Sequence, residues 1–135
     1  MWEHFAHQAD IGIKASDDNL SDAFADAAVA LVAIITEPEK VEPAESVEIK
    51  CSAENNELLF VDWLSSIIYE MDVRKMLFSR FDVQIKGANL SAKIWGEKIN
   101  PNKHFPAVEP KAVTYNQLSV KEENGKWTIQ CVIDV

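Results

Sequence analysis

Between Asn56 and Met71 the chain is apolar around much more than one helical stripe. Leu58, Val61, Leu64, Ile68 and Met71 recur at helical spacing, and Leu59, Trp63 and Ile67 widen the band. A helix with so broad an apolar arc is stable only when covered, so the rest of the chain must pack around it. A second helix is predicted from about 20 to 36, where Leu20, Phe24, Ala27, Leu31 and Ile34 keep the same spacing. It follows the turn and capping residues Ser16-Asp17-Asp18-Asn19, and Pro38 and Pro43 flank its exit. Asp17 and Asp18 read as capping acids suited to the positive end of that helix, not as a general acid and base.

The remaining segments alternate with period two, as half-buried strands do. Residues 2 to 8 and 10 to 15 are predicted strands; Phe5, Ala9, Ile11 and Ile13 share a spacing, and Gly12 suggests close approach of another backbone or a ligand. Val47, Ile49 and Cys51 alternate with Glu48, Lys50 and Ser52. Met76 to Lys86 and Leu90 to Glu97 read as strands around a break at Lys86-Gly87-Ala88-Asn89, where Gly87 supplies an unusual dihedral. Asn100 to Pro106 is a loop by composition. Ala112 to Lys121 and Trp127 to Val135 form a closing hairpin whose Asn124-Gly125 pair favours positive backbone dihedrals. The expected fold is α+β, two helices packed on a mostly antiparallel or mixed sheet. With 135 residues, 47% hydrophobic composition and no Gly, Pro or Ser-rich linker, the expectation is one domain, 1–135.

Composition excludes several classes of function. The longest apolar stretch, Ala27 to Ile35, is too short for the about 20 residues a bilayer demands. The start Met1-Trp2-Glu3-His4 lacks the features of a signal peptide, so a cytoplasmic protein without membrane contact is expected. Cys51 and Cys131 are then reduced core residues and not a zinc pair. A net charge of -9, with Lys93, Lys98, Lys103 and Lys111 scattered, argues against direct nucleic-acid binding and favours a basic partner surface or a cation. No GxGxxG, Walker-type loop or GxSxG elbow is present.

The candidate chemistry begins at His7-Gln8-Ala9-Asp10-Ile11-Gly12-Ile13, where a carboxylate interrupts an apolar strand and needs a compensating partner. Asp134 repeats the anomaly after Cys131-Val132-Ile133. On neighbouring strands the two acids would share a hard cation, with backbone oxygens including that of Val135; otherwise both are ordinary strand-end acids. His4 and His7 have the odd spacing that sends them to opposite faces, so they are no metal pair. His104 is the histidine better suited to a polar site. Lys111 and Thr114 offer a charge and a hydroxyl, while alternation sets Lys111, Val113 and Tyr115 on one strand face.

In order and spacing these segments resemble the archease family, small cytosolic proteins that work with tRNA-splicing ligases. The resemblance rests on HxADIGI at 7–13, the helix with Leu20, Phe24 and Ala27, and the helix around Trp63-Leu64 with Tyr69. It continues through Gly96-Glu97, His104, Lys111-Ala112-Val113-Thr114-Tyr115 and the closing Val132-Ile133-Asp134-Val135. Gln8 stands where the family usually has Thr, and Asn116 where it usually has His. The resemblance implies a divalent metal site, calcium in the family, formed by Asp10, Asp134 and the main-chain oxygen of Val135. It also implies a helper, not an enzyme, that activates an RtcB-type RNA ligase by promoting its guanylylation and multiple turnover. His7, Glu97, His104, Lys111 and Thr114 are the expected partner-docking residues. The competing readings are a small metal-dependent phosphoester or nucleotide-processing enzyme and a general chaperone.

Overall fold

A computed structural model describes all 135 residues. The chain opens with strands β1 (Trp2–His7) and β2 (Asp10–Asp17) and helix α1 (Leu20–Ile35). A short 3-10 turn at Pro38–Lys40 leads to β3 (Glu45–Ser52) and helix α2 (Asn56–Arg74). Next come β4 (Met76–Lys86), β5 (Asn89–Lys98), a one-turn helix α3 (Pro101–His104), β6 (Ala112–Glu123) and β7 (Lys126–Asp134). The α+β expectation holds, but the strands form two sheets, ordered β1-β2-β7-β6 and β3-β5-β4, and every pairing is antiparallel. The breadth of the apolar arcs accounts for the division. Helix α1 packs on β1, β2 and β7 of the first sheet and on β4 of the second, while α2 packs on β6 and on β3, β4 and β5. One sheet covers only one side of such a helix.

A contiguous cluster of 32 buried residues draws on both helices and both sheets. Trp63, Phe24 and Phe60 are fully buried at its centre, with the Phe24 and Phe60 rings 5.3 Å apart. The Trp63 Nε1–H donates to the Phe24 carbonyl at 2.9 Å, which satisfies the one polar group the indole carries into the core. Cys131 is also fully buried and burial pushes its thiol up to about 12; both cysteines are free. No helix is long and apolar enough to cross a membrane.

Local details depart from the sequence expectation in four places. Asn19 caps α1, its side chain accepting from the Asp22 N–H at 2.8 Å. Asp17, expected as a cap, turns to the Met1 ammonium instead, and burial together with the neighbouring Asp26 carboxyl pushes it up to about 6. Helix α2 runs past Met71 to Arg74 and ends at Lys75 with φ 55°; residues 72 to 75 are all exposed, Val73 included, so the buried apolar stripe could not mark this end. The presumed loop at 100–106 contains α3, whose turn Asn100 caps by accepting from the Asn102 N–H at 3.0 Å.

The fourth departure lies in β6. Thr114 faces Val132 and Ser119 faces Gln130, so residues 115 to 118 bulge against a single residue of β7. Gln117 sits at φ 57° in this bulge. The strand alternation that grouped Tyr115 with Val113 therefore fails: Val113 is half-buried and Tyr115 is 67% exposed. At the chain's end the Asn-Gly expectation is met, with Asn124 and Gly125 at φ 53° and 77°.

One glycine is required by contact. A Cβ on Gly96 would lie 1.8 Å from the Leu77 carbonyl oxygen, beside the bulge that shifts the β4–β5 register between Phe78 and Arg80. Replacing Gly96 by Ala forces two paired backbones apart, and a cost of about 1–3 kcal/mol or more is expected. Urea unfolding should show a clearly lowered midpoint for Gly96→Ala; an unchanged midpoint would contradict this packing.

Candidate functional site

Strands β2 and β7 bring the two anomalous acids to one place. Their register pairs Ile11 with Ile133, Gly12 with Val132 and Ile13 with Cys131. Asp10 opens β2 and Asp134 closes β7, so each lies one step beyond the Ile11–Ile133 pair, across from the other. Side chains of facing residues leave the same face of a sheet. Ile13, Cys131 and Ile133 are fully buried on the core face, which leaves Asp10 and Asp134 on the opposite face, both partly buried. Asp10 thus interrupts the apolar run without entering the core. Gly12 shares its face, and the nearest side chain there is the Phe5 ring, 2.2 Å from where a Cβ would stand.

Neither carboxylate is compensated by a cationic group of the chain. None of the ion pairs of the chain includes Asp10 or Asp134. Like charges facing each other across strands are destabilising, by about 0.2–1 kcal/mol in an exposed pair and more as water is excluded. The two acids offer oxygen donors, which suit a hard cation. No group of three or more His, Cys, Asp or Glu side chains is arranged to hold an ion, so a third carboxylate, thiolate or imidazole does not join the two acids. The Asp134 carbonyl already accepts from the Lys111 N–H at 2.8 Å. Val135, next along, is partly buried.

The other expected residues divide between this edge and a separate cluster. His7 faces Asp10 across the β1–β2 hairpin, and Ala112 faces Asp134 on the far side. One row of the sheet therefore runs His7, Asp10, Asp134, Ala112. His4 points the other way, as its odd spacing from His7 predicts, and its ring Nε2–H donates to the Ala30 carbonyl of α1 at 2.8 Å. Lys111 precedes β6 with an exposed side chain. The Thr114 hydroxyl donates to the Val132 carbonyl at 2.9 Å and accepts from the Asn116 N–H at 3.3 Å, so its partners lie within the sheet and the bulge.

Glu97 and His104 meet each other instead. One Glu97 oxygen, Oε2, accepts from the Glu42 N–H at 2.8 Å, the Lys103 ammonium at 2.7 Å and His104 Nε2 at 3.0 Å. His104 Nδ1 accepts from the Asn100 N–H at 2.9 Å, which fixes the proton on Nε2 and leaves the ring neutral in this arrangement. His104, expected at a docking surface, is 1% exposed here and turned to Glu97. The cluster ties the segment after β5 to the chain that enters β3, and the His104 carbonyl accepts from the Thr36 hydroxyl at 2.6 Å at the end of α1. Sequence reading did not find this clasp, since Glu42, Glu97 and His104 are brought together by the tertiary fold alone.

The clasp makes a pH prediction. The Glu42 N–H first, then Lys103 and His104, hold the Glu97 carboxyl down to about 2 against an ordinary value of 4.5. A carboxylate whose folded pKa is depressed adds stability above its unfolded value and loses it as pH falls toward the folded one. The stability advantage of the unaltered chain over Glu97→Gln should therefore be full above pH 4.5 and shrink between pH 4.5 and about 2. Urea midpoints measured for both proteins across that window check it; a difference independent of pH would contradict the clasp.

With the geometry in place, comparison with known proteins is informative. A family model described as the Archease protein family (MTH1598/TM1083) matches residues 2–135. Protein archease of Sulfurisphaera tokodaii is 40% identical over 136 residues, covering 99% of this chain and 98% of that one. Protein archease of Pyrococcus abyssi is 38% identical over 139 residues with the same coverage. The solution structure of Methanobacterium thermoautotrophicum protein 1598 matches with a TM-score of 0.87 at 30% identity, over 99% of this chain and 98% of that one. A Thermotoga maritima crystal structure, described as an archease and possible chaperone, shares the fold with a TM-score of 0.63 at 21% identity, over 97% and 94% of the two chains. Near-complete coverage at these identities leaves one conclusion: the chain belongs to the archease protein family.

Proposed function

We propose that this protein is a cytoplasmic, non-catalytic activator of an RtcB-type tRNA-splicing ligase, and that Asp10, Asp134 and the main-chain oxygen of Val135 hold a divalent cation, calcium in the first instance. The observation that carries the reading is the pair of facing carboxylates at the shared end of β2 and β7, engaged in no ion pair. When bound, the cation supplies positive charge that relieves the repulsion between the two acids and stiffens the end of the sheet. The all-oxygen ligand set favours a hard ion over zinc or copper.

The chain's own residues then act by presentation. Asp10 sits directly after the β1–β2 turn and Asp134 at the last paired position of β7, so both project from a rigid edge rather than a loop. The exposed Lys111 and the net charge of -9 add a mixed, mainly acidic surface for a basic partner surface. Binding at this edge promotes ligase guanylylation only if the edge prefers the ligase state competent for nucleotidyl transfer, since a partner shifts an equilibrium by its differential affinity and by nothing else. Glu97 supports this as part of the clasp, not as a member of the docking edge.

Single-turnover guanylylation of a cognate ligase, with and without the protein and with calcium chelated, tests the reading. Stimulation should be lost on chelation and lost in Asp10→Ala and Asp134→Ala, both of which should remain folded because neither side chain lies in the core. Unchanged stimulation by either variant overturns the site, and turnover of a phosphoester or nucleotide by the protein alone overturns the non-catalytic role.

A further inference from the structure

Only one buried side-chain nitrogen or oxygen in the whole chain has no hydrogen-bond partner, and it is Nδ1 of His7. Leaving such an atom unsatisfied costs about 1–3 kcal/mol, so its retention calls for a group that the folded chain itself does not supply. His7 faces Asp10, and Asp10 and Asp134 stand across from each other, one step beyond the Ile11–Ile133 pair. The residue that carries the orphan atom therefore stands in the same row of the sheet as the two uncompensated acids.

We propose that His7 is a positioning residue of the cation site, its Nδ1 accepting a hydrogen bond from a water molecule in the cation's shell. The inference rests on the metal reading above. Calcium takes about 6–8 oxygen ligands, more than two carboxylates and a main-chain carbonyl provide even when both acids bind through two oxygens, so water completes its shell. Water polarised by a divalent ion is a strong donor, and an imidazole lone pair buried beside it is a matching acceptor. An outer position agrees with the side-chain arrangement, in which His7 does not join the two acids as a third direct ligand. It also gives the two sides of the row distinct tasks: Asp10 and Asp134 supply charge, and His7 fixes the orientation of the shell presented beyond the sheet edge. His4, turned to α1 and bonded to Ala30, cannot take this part, so the assignment is specific to one histidine.

Calcium titration of the full-length protein labelled with 15N-histidine tests the proposal without reference to ligase activity. The Nδ1 resonance of His7 should shift as calcium binds, while those of His4 and His104 stay in place. By calorimetry, His7→Ala should weaken calcium binding by about tenfold or more, the range typical of lost outer-shell partners. His7→Asn, whose Oδ1 lies near the position of Nδ1 and also accepts, should recover affinity to within about threefold. Calcium binding accompanied by a stationary His7 Nδ1 resonance overturns the role of His7 and leaves the metal site standing. Absence of any calcium binding to the unaltered chain overturns the metal reading and this inference together. If His7→Ala does not fold, the resonance of the unaltered protein still decides between these outcomes.

Discussion

The antiparallel pairing of β2 with β7 is the constraint on which the rest of the structure depends. It joins the N-terminal hairpin to the C-terminal hairpin, matching Ile11 with Ile133 across nearly the whole length of the chain. Closing so long a loop carries an entropic cost, offset here by the apolar residues that the pairing turns inward against α1. The same register sends Asp10 and Asp134 to the other face. A slip of one residue would exchange the faces and drive the carboxylates toward the helices, so the packing of Ile13, Cys131 and Ile133 is also what holds the acids at the edge.

The fold treats its two acidic centres in opposite ways. Glu97 is compensated within the chain, receiving three donors on one oxygen, and its carboxyl stays ionised far into acid. Asp10 and Asp134 have like charge across from them and an unsatisfied imidazole nitrogen along the row. The first arrangement is complete and fastens α3 and the turn before β3 to the core. The second has no compensating partner within the chain, and that asymmetry is the ground on which this edge is proposed to meet a ligand.

Much of this was legible in the sequence wherever a single element carried the signal. The stripes of α1 and α2, the alternation of β3 and the Asn124-Gly125 turn are local patterns, and each was found at nearly its observed place. Asp10 and Asp134 were visible as acids in apolar company, because a charge among Ile and Val stands out without knowledge of the fold. What escaped depends on contacts between distant segments. The division into two sheets follows from helices that need cover on both sides, the Glu97–His104 clasp from the meeting of three separate segments, and the need for Gly96 from the Leu77 carbonyl beside it. The bulge at 115–118 was hidden because Val113-Thr114-Tyr115 looks like continuous strand; alternation cannot show four residues standing opposite one.

The facing ends of β2 and β7 are proposed to form one cation site. Its most direct measurement is the backbone amide spectrum of the 15N-labelled protein as calcium is added at constant ionic strength. Saturable shifts are expected, concentrated at His7 to Gly12, Lys111 and Ala112, and Val132 to Val135, with the Glu97–His104 cluster unmoved. A spectrum that does not change, or shifts scattered over the acidic surface without saturation, would contradict it.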